Sequence, residues 1–261
     1  MNINLLSREI RIESLFYTKK ANFGHLGGTF SCIEILMALY FGKQFNFSNR
    51  DFFILSKGHA NLALLSILVK KKILTKYVLD SYGKNFGIGG QLDKNIKGIH
   101  WNTGSLGHSI GVCAGVALSN QFKSVNNYAV TIIGDSELDE GASWEAINFA
   151  GENKLNNLIV YVDRNKYSVT SKIDETFFYK SPKKIMHSYD WNVHSVDGHN
   201  YKKLLDITKI AKKSKKPSLI ICETIKGKGV SFMENNKGWH HGAINDKQYH
   251  QAVNEILIKY K

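Results

Sequence analysis

The sequence predicts an α/β fold, a doubly wound and mainly parallel sheet with helices on both faces. Its strand-like runs are short and almost continuously apolar, which is typical of strands buried on both faces. Helical stretches separate these runs, as in the crossover connections of parallel sheets. Of the 261 residues, 43% are hydrophobic and 22% are charged, so disordered and fibrous classes are excluded.

Five candidate strands and five candidate helices follow from this pattern. The strands are 51–55 (DFFIL), 129–133 (AVTII), 157–163 (NLIVYVD), 191–196 and 217–224 (PSLIICET). The helices are 31–40, 62–71, 106–121, 141–153 and 202–212. The length allows a single domain over residues 1–261. Parallel sheets bind ligands at the carboxyl ends of their strands, so function is sought directly after each strand.

The charge of the chain favours anionic small molecules over nucleic acid. The net charge is +13, but only four of the 35 basic residues are arginine. Lysine cannot contact guanine edges or phosphates bidentately, and no zinc-finger, RNP or basic-zipper pattern appears. A diffuse basic surface is therefore predicted, with a bias towards ligands such as sugar phosphates.

A cytoplasmic protein without membrane spans is expected. The longest strongly apolar run, residues 62–69, is far shorter than the ~20 residues that cross a bilayer. The first twenty residues lack the apolar core and cleavage site of a signal peptide. Three scattered cysteines, without a CxxC pair, predict buried thiols in a reducing compartment.

The most informative stretch is residues 129–167, which is predicted to form a strand, an acidic turn, a helix and a second strand. Asp135 follows the first strand and Asn165 follows the second, 30 residues on. In a βαβ unit of ~30 residues the strands lie parallel and adjacent or nearly so, and both side chains then project from one sheet edge. A carboxylate, an amide oxygen and a nearby carbonyl suit Mg²⁺, and Gly134 allows a phosphate to approach. Common turn and cap chemistry explains the same residues without a ligand.

The same stretch resembles the Gly-Asp-Gly…Asn signature of thiamine diphosphate enzymes, and VDRN with the upstream WEA and KL resembles the transketolase branch. Further motifs are similar to that family in the right order, over some 225 residues. They are FGHLGG (23–28), LSKGHA (55–60), NTGSLGHSIGVCAGVAL (102–118), VDGHN (196–200) and TIKGKGVSFMENNKGWHHGAINDKQY (224–249). The resemblance implies the thiamine diphosphate-binding fold.

The resemblance also implies a cofactor site that contains Mg²⁺ and thiamine diphosphate. The expected metal ligands are the side chains of Asp135 and Asn165 and the backbone carbonyl of Tyr167. The residues expected to bind the cofactor are His59, Gly104, Ser105, Leu106, Gly134, Asp135, Ser136, Asn165 and His241. A structural role at a helix start remains the alternative for His59.

Three residues are expected to act in catalysis. His25 and His241 resemble the family's two histidines near the reactive carbon, where imidazoles can donate to substrate oxygens and move protons. His241 is preferred over His240 because it directly precedes Gly242. Glu140 resembles a glutamate that links paired active sites across a subunit interface, although a carboxylate at a helix start also interacts with the helix dipole.

Three positions depart from the family pattern. Ser136 replaces the second glycine of the Gly-Asp-Gly motif, Leu26 replaces a proline and Ser109 replaces a glycine. Ser136 can still offer its amide to a phosphate if the turn tolerates a side chain. Glycines 107, 111 and 115 recur every four positions, which would let the helix that carries them lie close to another element.

The resemblance covers only the diphosphate-binding half of a transketolase. In that family, a glutamate and an aromatic platform for the aminopyrimidine ring lie on a second domain, and this chain ends about where that domain would begin. We therefore expect an inactive chain on its own, a partner subunit with the pyrimidine-binding domain, and a heterotetramer of two such chains and two partners. The alternatives are a non-catalytic scaffold and a subunit of the 2-oxoacid dehydrogenase type.

Overall fold

A computed structural model describes residues 2–168, 172–173 and 177–261. The described strands form one sheet, and every pair of neighbours in it is parallel. In chain order they are β1 (Phe52–Leu55), β2 (Ala129–Gly134), β3 (Leu158–Arg164), β4 (Asn192–Asp197) and β5 (Ser218–Glu223). The order across the sheet is β1-β2-β3-β5-β4. The predicted parallel sheet is confirmed, with strand ends one residue or less from those expected.

Helices cover both faces of this sheet. They are α1 (Ile3–Ala21), α2 (Leu26–Ser31), α3 (Ile33–Phe41), α4 (Asn61–Lys70), α5 (Lys76–Asp80), α6 (Ser109–Phe122), α7 (Gly141–Glu152), α8 (Phe177–Lys180), α9 (Pro182–Ser188), α10 (Tyr201–Lys212) and α11 (Asp246–Lys259). Short 3₁₀ turns occupy Gly58–Ala60, Asp135–Asp139 and Lys237–Trp239.

Alternate residues of each central strand enter two separate cores. Ile159 and Tyr161 of β3 join a core with α1, α3, α4, α10 and α11. Val160 and Val162 join a second core with α6, α7 and α9. Successive side chains of a strand point to opposite faces, so β3 needs apolar residues on both of its faces. This two-faced burial confirms the doubly wound architecture.

The helices were predicted less completely than the strands. Helix α3 begins at Ile33 rather than at residue 31, because α2 precedes it and ends at Ser31. Helix α6 begins at Ser109 rather than at residue 106, since Gly107 has a left-handed φ of 79°. Helices α1, α2, α5, α8, α9 and α11 were not predicted. Asparagine caps open α1 and α11, and these caps are the sequence signal that could have revealed both helices.

The described helices include none that is both long and apolar enough to cross a membrane. All three cysteines are free and buried, as the sequence predicts. The close approach expected of glycines 107, 111 and 115 is found at Gly107, where a Cβ would lie 2.6 Å from Cβ of Glu140, but not further along α6 within the described part of this chain. A Cβ at Gly111 would make an ordinary contact of 3.7 Å with Ala146, and a Cβ at Gly115 would meet nothing within 4 Å.

Candidate functional site

Four strand ends bring the sequence motifs to one edge of the sheet. The segments at the carboxyl ends of β1, β2, β3 and β5 are LSKGHA, GDSELD, RNKY and TIKGKG, and parallel strands direct all four to the same side. β2 and β3 are direct neighbours, with Gly134 opposite Asp163. The expectation that Asp135 and Asn165 lie at the same sheet edge follows from this register.

Asp135 is 2% exposed at the end of β2. Its Oδ1 accepts a hydrogen bond from the backbone amide of Ser136 at 3.0 Å, and its Oδ2 accepts one from the amide of Lys166 at 2.6 Å. Burial and, secondarily, the nearby carboxylate of Asp163 raise the pKa of Asp135 to about 7. An added cation at this edge would stabilise the charged form of Asp135.

Asn165 is 4% exposed and lies just beyond β3. Its Oδ1 accepts a hydrogen bond from the amide of Tyr167 at 3.2 Å, and its Nδ2 lies 3.4 Å from Oδ2 of Asp163. Tyr167 is half-buried two residues further on. Asp135 and the segment 165–167 are therefore in contact, because the carboxylate of Asp135 binds the amide of Lys166.

These oxygens fit a small hard cation. In the described part of the chain, no group of three or more His, Cys, Asp or Glu side chains could hold a metal. A site made of one carboxylate, one amide and one carbonyl does not need such a group, because hard divalent cations accept all three oxygen types and retain water or phosphate. Burial and the carboxylate of Asp163 raise the pKa of Asp135 although Lys57 opposes the shift, and a bound cation would add to that opposing effect.

A buried ion pair beneath this edge was missed from the sequence. Lys57, in the loop after β1, pairs with Asp163 of β3, and both side chains are 2% exposed or less. Asp163 also accepts hydrogen bonds from Ser31 and Thr224. Although burial disfavours both charges, their mutual attraction keeps the pKa of Lys57 raised and that of Asp163 lowered. Nothing local in LSKGHA indicates this partner, which lies 106 residues away.

Four histidines from three segments meet beside these charges. The ring centroid of His25 lies 5.3 Å from that of His59, 5.8 Å from that of His240 and 4.7 Å from that of His241. The rings of His59 and His240 are 5.0 Å apart. The two histidines expected to act in catalysis are thus neighbours, and His240 lies deeper in the group than the exposed His241.

The inner imidazoles are held neutral. Burial is the main cause that lowers the pKa of His25 to about 4, with His241 and Lys226 adding to it. Burial and then Lys226 lower the pKa of His240 to about 4. Burial and Lys57 lower the pKa of His59 well below its usual value. Neutral imidazoles can both donate and accept hydrogen bonds.

Lys226 supplies a second buried cation, also missed from the sequence. Its side chain is 1% exposed, and its Nζ lies 3.2 Å from Nδ1 of His240. Burial and Lys57 lower the pKa of Lys226 to about 8, while Asp135 and Asp163 oppose the shift. The signal that could have indicated Lys226 is its position shortly after β5, because parallel sheets bind ligands at the carboxyl ends of their strands.

Glycines allow the close packing of this cleft. A Cβ at Gly27 would lie 2.5 Å from the carbonyl oxygen of Trp239, and a Cβ at Gly28 would lie 2.9 Å from Nε2 of His59. A Cβ at Gly58 would lie 1.8 Å from Oγ1 of Thr103. The glycines in FGHLGG and LSKGHA are therefore required by packing around the histidines, and not only by a ligand.

The loop before α6 carries three further cofactor-binding candidates, Gly104, Ser105 and Leu106. Gly104 has a left-handed φ of 128°, and a Cβ there would lie 3.8 Å from Gln91. Leu106 is 43% exposed, and Ser105 is exposed as well. All three of these cofactor-binding candidates are exposed.

Glu137 joins three of the motifs and was not predicted. This buried carboxylate accepts hydrogen bonds from the amides of Gly107 at 3.0 Å and Gly134 at 2.9 Å, and from the hydroxyl of Ser56. Burial raises its pKa, and these hydrogen bonds oppose the shift. Glu140, by contrast, is exposed at the N-cap position, directly before α7. Among the described residues its side chain makes no capping hydrogen bond, so its interaction with α7 is limited to that of its charge with the helix dipole.

The three departures from the family pattern are accommodated locally. Ser136 lies in the 3₁₀ turn and is not among the residues with positive φ, so its backbone does not require glycine. Leu26 is 2% exposed in the core. Ser109 is buried and accepts a hydrogen bond at 3.1 Å from Thr131 of β2.

The fold and cleft define an α/β protein with its site at the carboxyl ends of parallel strands. Comparison with known proteins identifies the family: residues 4–257 match the transketolase, thiamine diphosphate binding domain. The chain belongs to this family. This membership confirms the resemblance inferred from the motifs, the thiamine diphosphate-binding fold and the assignment to the transketolase-type transferases.

Two of the relatives illustrate a match over most of both chains. An apulose-4-phosphate transketolase subunit of Phocaeicola vulgatus is 34% identical over 255 residues, which cover 94% of this chain and 90% of that protein. The 6-deoxy-6-sulfo-D-fructose transketolase subunit of Clostridium sp. is 35% identical over 246 residues, with coverages of 91% and 90%.

Solved transketolases share the fold. The structure of a Pichia stipitis transketolase variant superposes with a TM-score of 0.87 at 27% identity, covering 98% of this chain and 40% of that chain. The Campylobacter jejuni transketolase gives a TM-score of 0.85 at 25% identity, covering 98% of this chain and 43% of that chain. The chain thus spans less than half the length of these transketolases.

Proposed function

We propose that the chain is the diphosphate-binding subunit of a two-part transketolase. With thiamine diphosphate and Mg²⁺ it transfers a two-carbon ketol unit from a ketose or ketose phosphate to an aldose or aldose phosphate. The supporting observation is the meeting, at one sheet edge, of oxygen ligands, two buried lysines and a group of neutral histidines. Thiamine diphosphate, when bound, supplies the carbanion stabilisation that ketol transfer requires.

The proposed metal ligands are Asp135, Asn165 and the carbonyl of Tyr167. The first two are buried neighbours of Asp163, whose own charge is already balanced by Lys57. Mg²⁺ would balance the charge of Asp135 and leave positions for phosphate oxygens. The donor set fits this ion in ligand type.

The proposed diphosphate contacts lie around Gly134. A Cβ there would be 4.0 Å from its nearest neighbours, so the backbone is open to a phosphate. Lys226 and His59 lie across the same cleft, and the ammonium would attract the anion while a neutral imidazole can donate to it. The amide of Ser136 and the loop 104–106 are further proposed contacts.

His25 and His241 are proposed to donate to substrate oxygens and to move protons. Within the described structure, Nδ1 of His25 is buried and has no hydrogen-bond partner. An unpaired buried nitrogen is costly, and a ligand oxygen would remove that cost. The exposed His241 adjoins His25 on the outer side of the cleft.

A second chain is proposed to complete the site. The Phocaeicola and Clostridium relatives are both named as transketolase subunits. The proposed assembly is a heterotetramer of two such chains and two partners with the pyrimidine-binding domain, with Glu140 at the contact between paired sites. Three buried free thiols support a cytoplasmic location.

Reconstitution tests the proposal. Affinity purification from the native cell, followed by intact mass, should yield a second chain in stoichiometric amount that restores ketol transfer with Mg²⁺ and thiamine diphosphate. The chain alone should be inactive. A lone homo-oligomer without a partner, or turnover by the pure chain, would refute the two-part enzyme.

Substitution of Asp135 separates a catalytic subunit from a scaffold. In the reconstituted complex, Asp135→Ala should abolish ketol transfer while the subunits stay assembled. Asp139→Ala, on the same 3₁₀ turn but exposed, is the matched control and should retain activity. Full activity of Asp135→Ala would favour the scaffold.

A further inference from the structure

A buried network of polar side chains lies behind the cleft, outside the residues considered so far. Glu34 of α3 is at its centre and is paired with Arg11 of α1, with Oε1–Nη1 and Oε2–Nη2 distances of 2.8 and 3.1 Å. The same carboxylate accepts a hydrogen bond from Ser7 at 2.6 Å and lies 2.8 Å from Nδ1 of His199. Burial opposes the charge of Glu34, but Arg11 and His199 outweigh it and hold its pKa well below the usual range.

The tautomer of His199 follows from its second contact. The backbone amide of Ile225 lies 2.9 Å from Nε2 of His199, so Nε2 accepts. The imidazole is therefore neutral with its proton on Nδ1, and it donates that proton to Glu34. His199 belongs to the VDGHN motif, for which the site described above gives no role.

Two members of the network form hydrogen bonds to the backbone of one turn, on either side of Lys226. His199 binds the amide of Ile225, and Nε of Arg11 donates to the carbonyl oxygen of Lys228 at 3.0 Å. Glu34 connects these two hydrogen bonds, because its carboxylate binds both His199 and Arg11. The amide of Gly227 adds a bond to the carbonyl of Gly27 at 3.0 Å.

We propose that Arg11, Glu34 and His199 are positioning residues that fix the turn 225–228, and thereby hold the Lys226 ammonium against Nδ1 of His240. A fixed ammonium donates to Nδ1 of His240 and leaves the ring proton on Nε2, which can then donate to a bound ligand. The consequence for ligand binding rests on the proposed function, whereas the effect on His240 does not.

Three substitutions of His199 test the proposal in the full-length chain. His199→Gln can still accept from Ile225 and donate to Glu34, whereas His199→Asn carries the same amide on a shorter stem and cannot span both. His199→Leu removes both hydrogen bonds. Thr208→Val is the matched control, since it removes a buried 2.7 Å hydroxyl contact with Tyr161 in the same core.

The first readout is the pair of ring nitrogens of His240 in long-range ¹H–¹⁵N spectra of ¹⁵N-histidine-labelled protein. The wild type and His199→Gln should show one tautomer, with the proton on Nε2. His199→Asn and His199→Leu should shift both nitrogens towards a mixture of tautomers, and Thr208→Val should not. Unchanged His240 signals in folded His199→Asn would refute the proposed positioning of Lys226. This outcome can be measured even if His199→Leu fails to fold.

The second readout is binding of Mg²⁺-pyrophosphate by calorimetry. We expect His199→Asn to weaken it about tenfold, the low end of a charge-assisted hydrogen bond, and His199→Gln to stay near wild type. A wild-type chain that does not bind pyrophosphate, with His240 still responding to His199→Asn, would contradict the proposed function but keep the network. Equal pyrophosphate affinity in the wild type and in folded His199→Asn would instead refute the network's effect on Lys226.

Discussion

The Nζ atom of Lys226 lies 3.2 Å from Nδ1 of His240, and this contact joins the segment after β5 to the histidine group of the cleft. The ammonium and the imidazole share one hydrogen bond, and the charge of Lys226 adds to burial, which is the main cause that lowers the pKa of His240. Because the same ammonium faces Asp135 and Asp163, its protonation state links the metal side of the cleft to the histidine side.

This link predicts how anion binding depends on pH. Lys226 has a pKa of about 8, so its ammonium is charged below that pH and loses its proton as pH rises through it. A bound diphosphate favours the charged form, and affinity for Mg²⁺-pyrophosphate should therefore fall above pH ~8. Lys226→Gln should bind ~10-fold more weakly at pH 7 and lack this fall. Lys237→Gln, at an exposed lysine of the following 3₁₀ turn, should keep the wild-type profile in calorimetry.

Stability of the ligand-free chain should fall in acid for a reason specific to the cleft. The pKa values of His25 and His240 are lowered to about 4 from the usual 6.5, so between these values the unfolded chain binds more protons. Their contribution is complete above pH 6.5 and is lost as pH falls towards 4. His25→Gln should reduce the loss of unfolding free energy between pH 6.5 and 4.5, as measured by urea titration. His187→Gln, at an exposed histidine of α9, is the control and should leave the pH dependence of the unfolding free energy unchanged. If His25→Gln also left this dependence unchanged, the lowered pKa of His25 would be contradicted.

A pair of glycine substitutions should separate packing at the cleft from helix propensity. An added Cβ at Gly28 would lie 2.9 Å from Nε2 of His59, so Gly28→Ala should cost about 1–3 kcal/mol in unfolding free energy and weaken pyrophosphate binding. Gly115→Ala adds a Cβ that meets no described atom within 4 Å, inside helix α6. It should stabilise the isolated chain by up to about 1 kcal/mol and leave binding unchanged. Equal effects of the two variants on pyrophosphate binding would show that the contact with His59 does not prevent a side chain at position 28.

Restoring the glycine of the family motif should bring no gain in affinity. Ser136 is not in a left-handed conformation, so Ser136→Gly relieves no strain and adds freedom to the unfolded chain. We expect a loss of about 0.5–1 kcal/mol in stability and a pyrophosphate affinity within about twofold of wild type. Ser136→Ala is the control, because it removes the hydroxyl without that added freedom. A large increase in affinity for Ser136→Gly alone would mean that the serine side chain obstructs the phosphate.

Local patterns were sufficient for the strands and for the acid and amide at their ends. The strands 129–134 and 158–164 are recognisable because burial on both faces demands apolar residues at most positions. Asp135 and Asn165 then follow from chain order, since neighbouring parallel strands end at one edge. The amphipathic α1 and α11 carry many charges and were not predicted, although their asparagine caps could have indicated them.

The sequence by itself determined the family, the parallel sheet and the residues that reach its carboxyl edge. The tertiary structure alone decided which charges meet: Lys57 with Asp163, Lys226 with His240, and Glu34 with Arg11 and His199. Strand and helix patterns depend on neighbours a few residues apart, and the chain states them directly. A buried charge needs a partner, but that partner is chosen by the packing of segments that lie far apart in the chain.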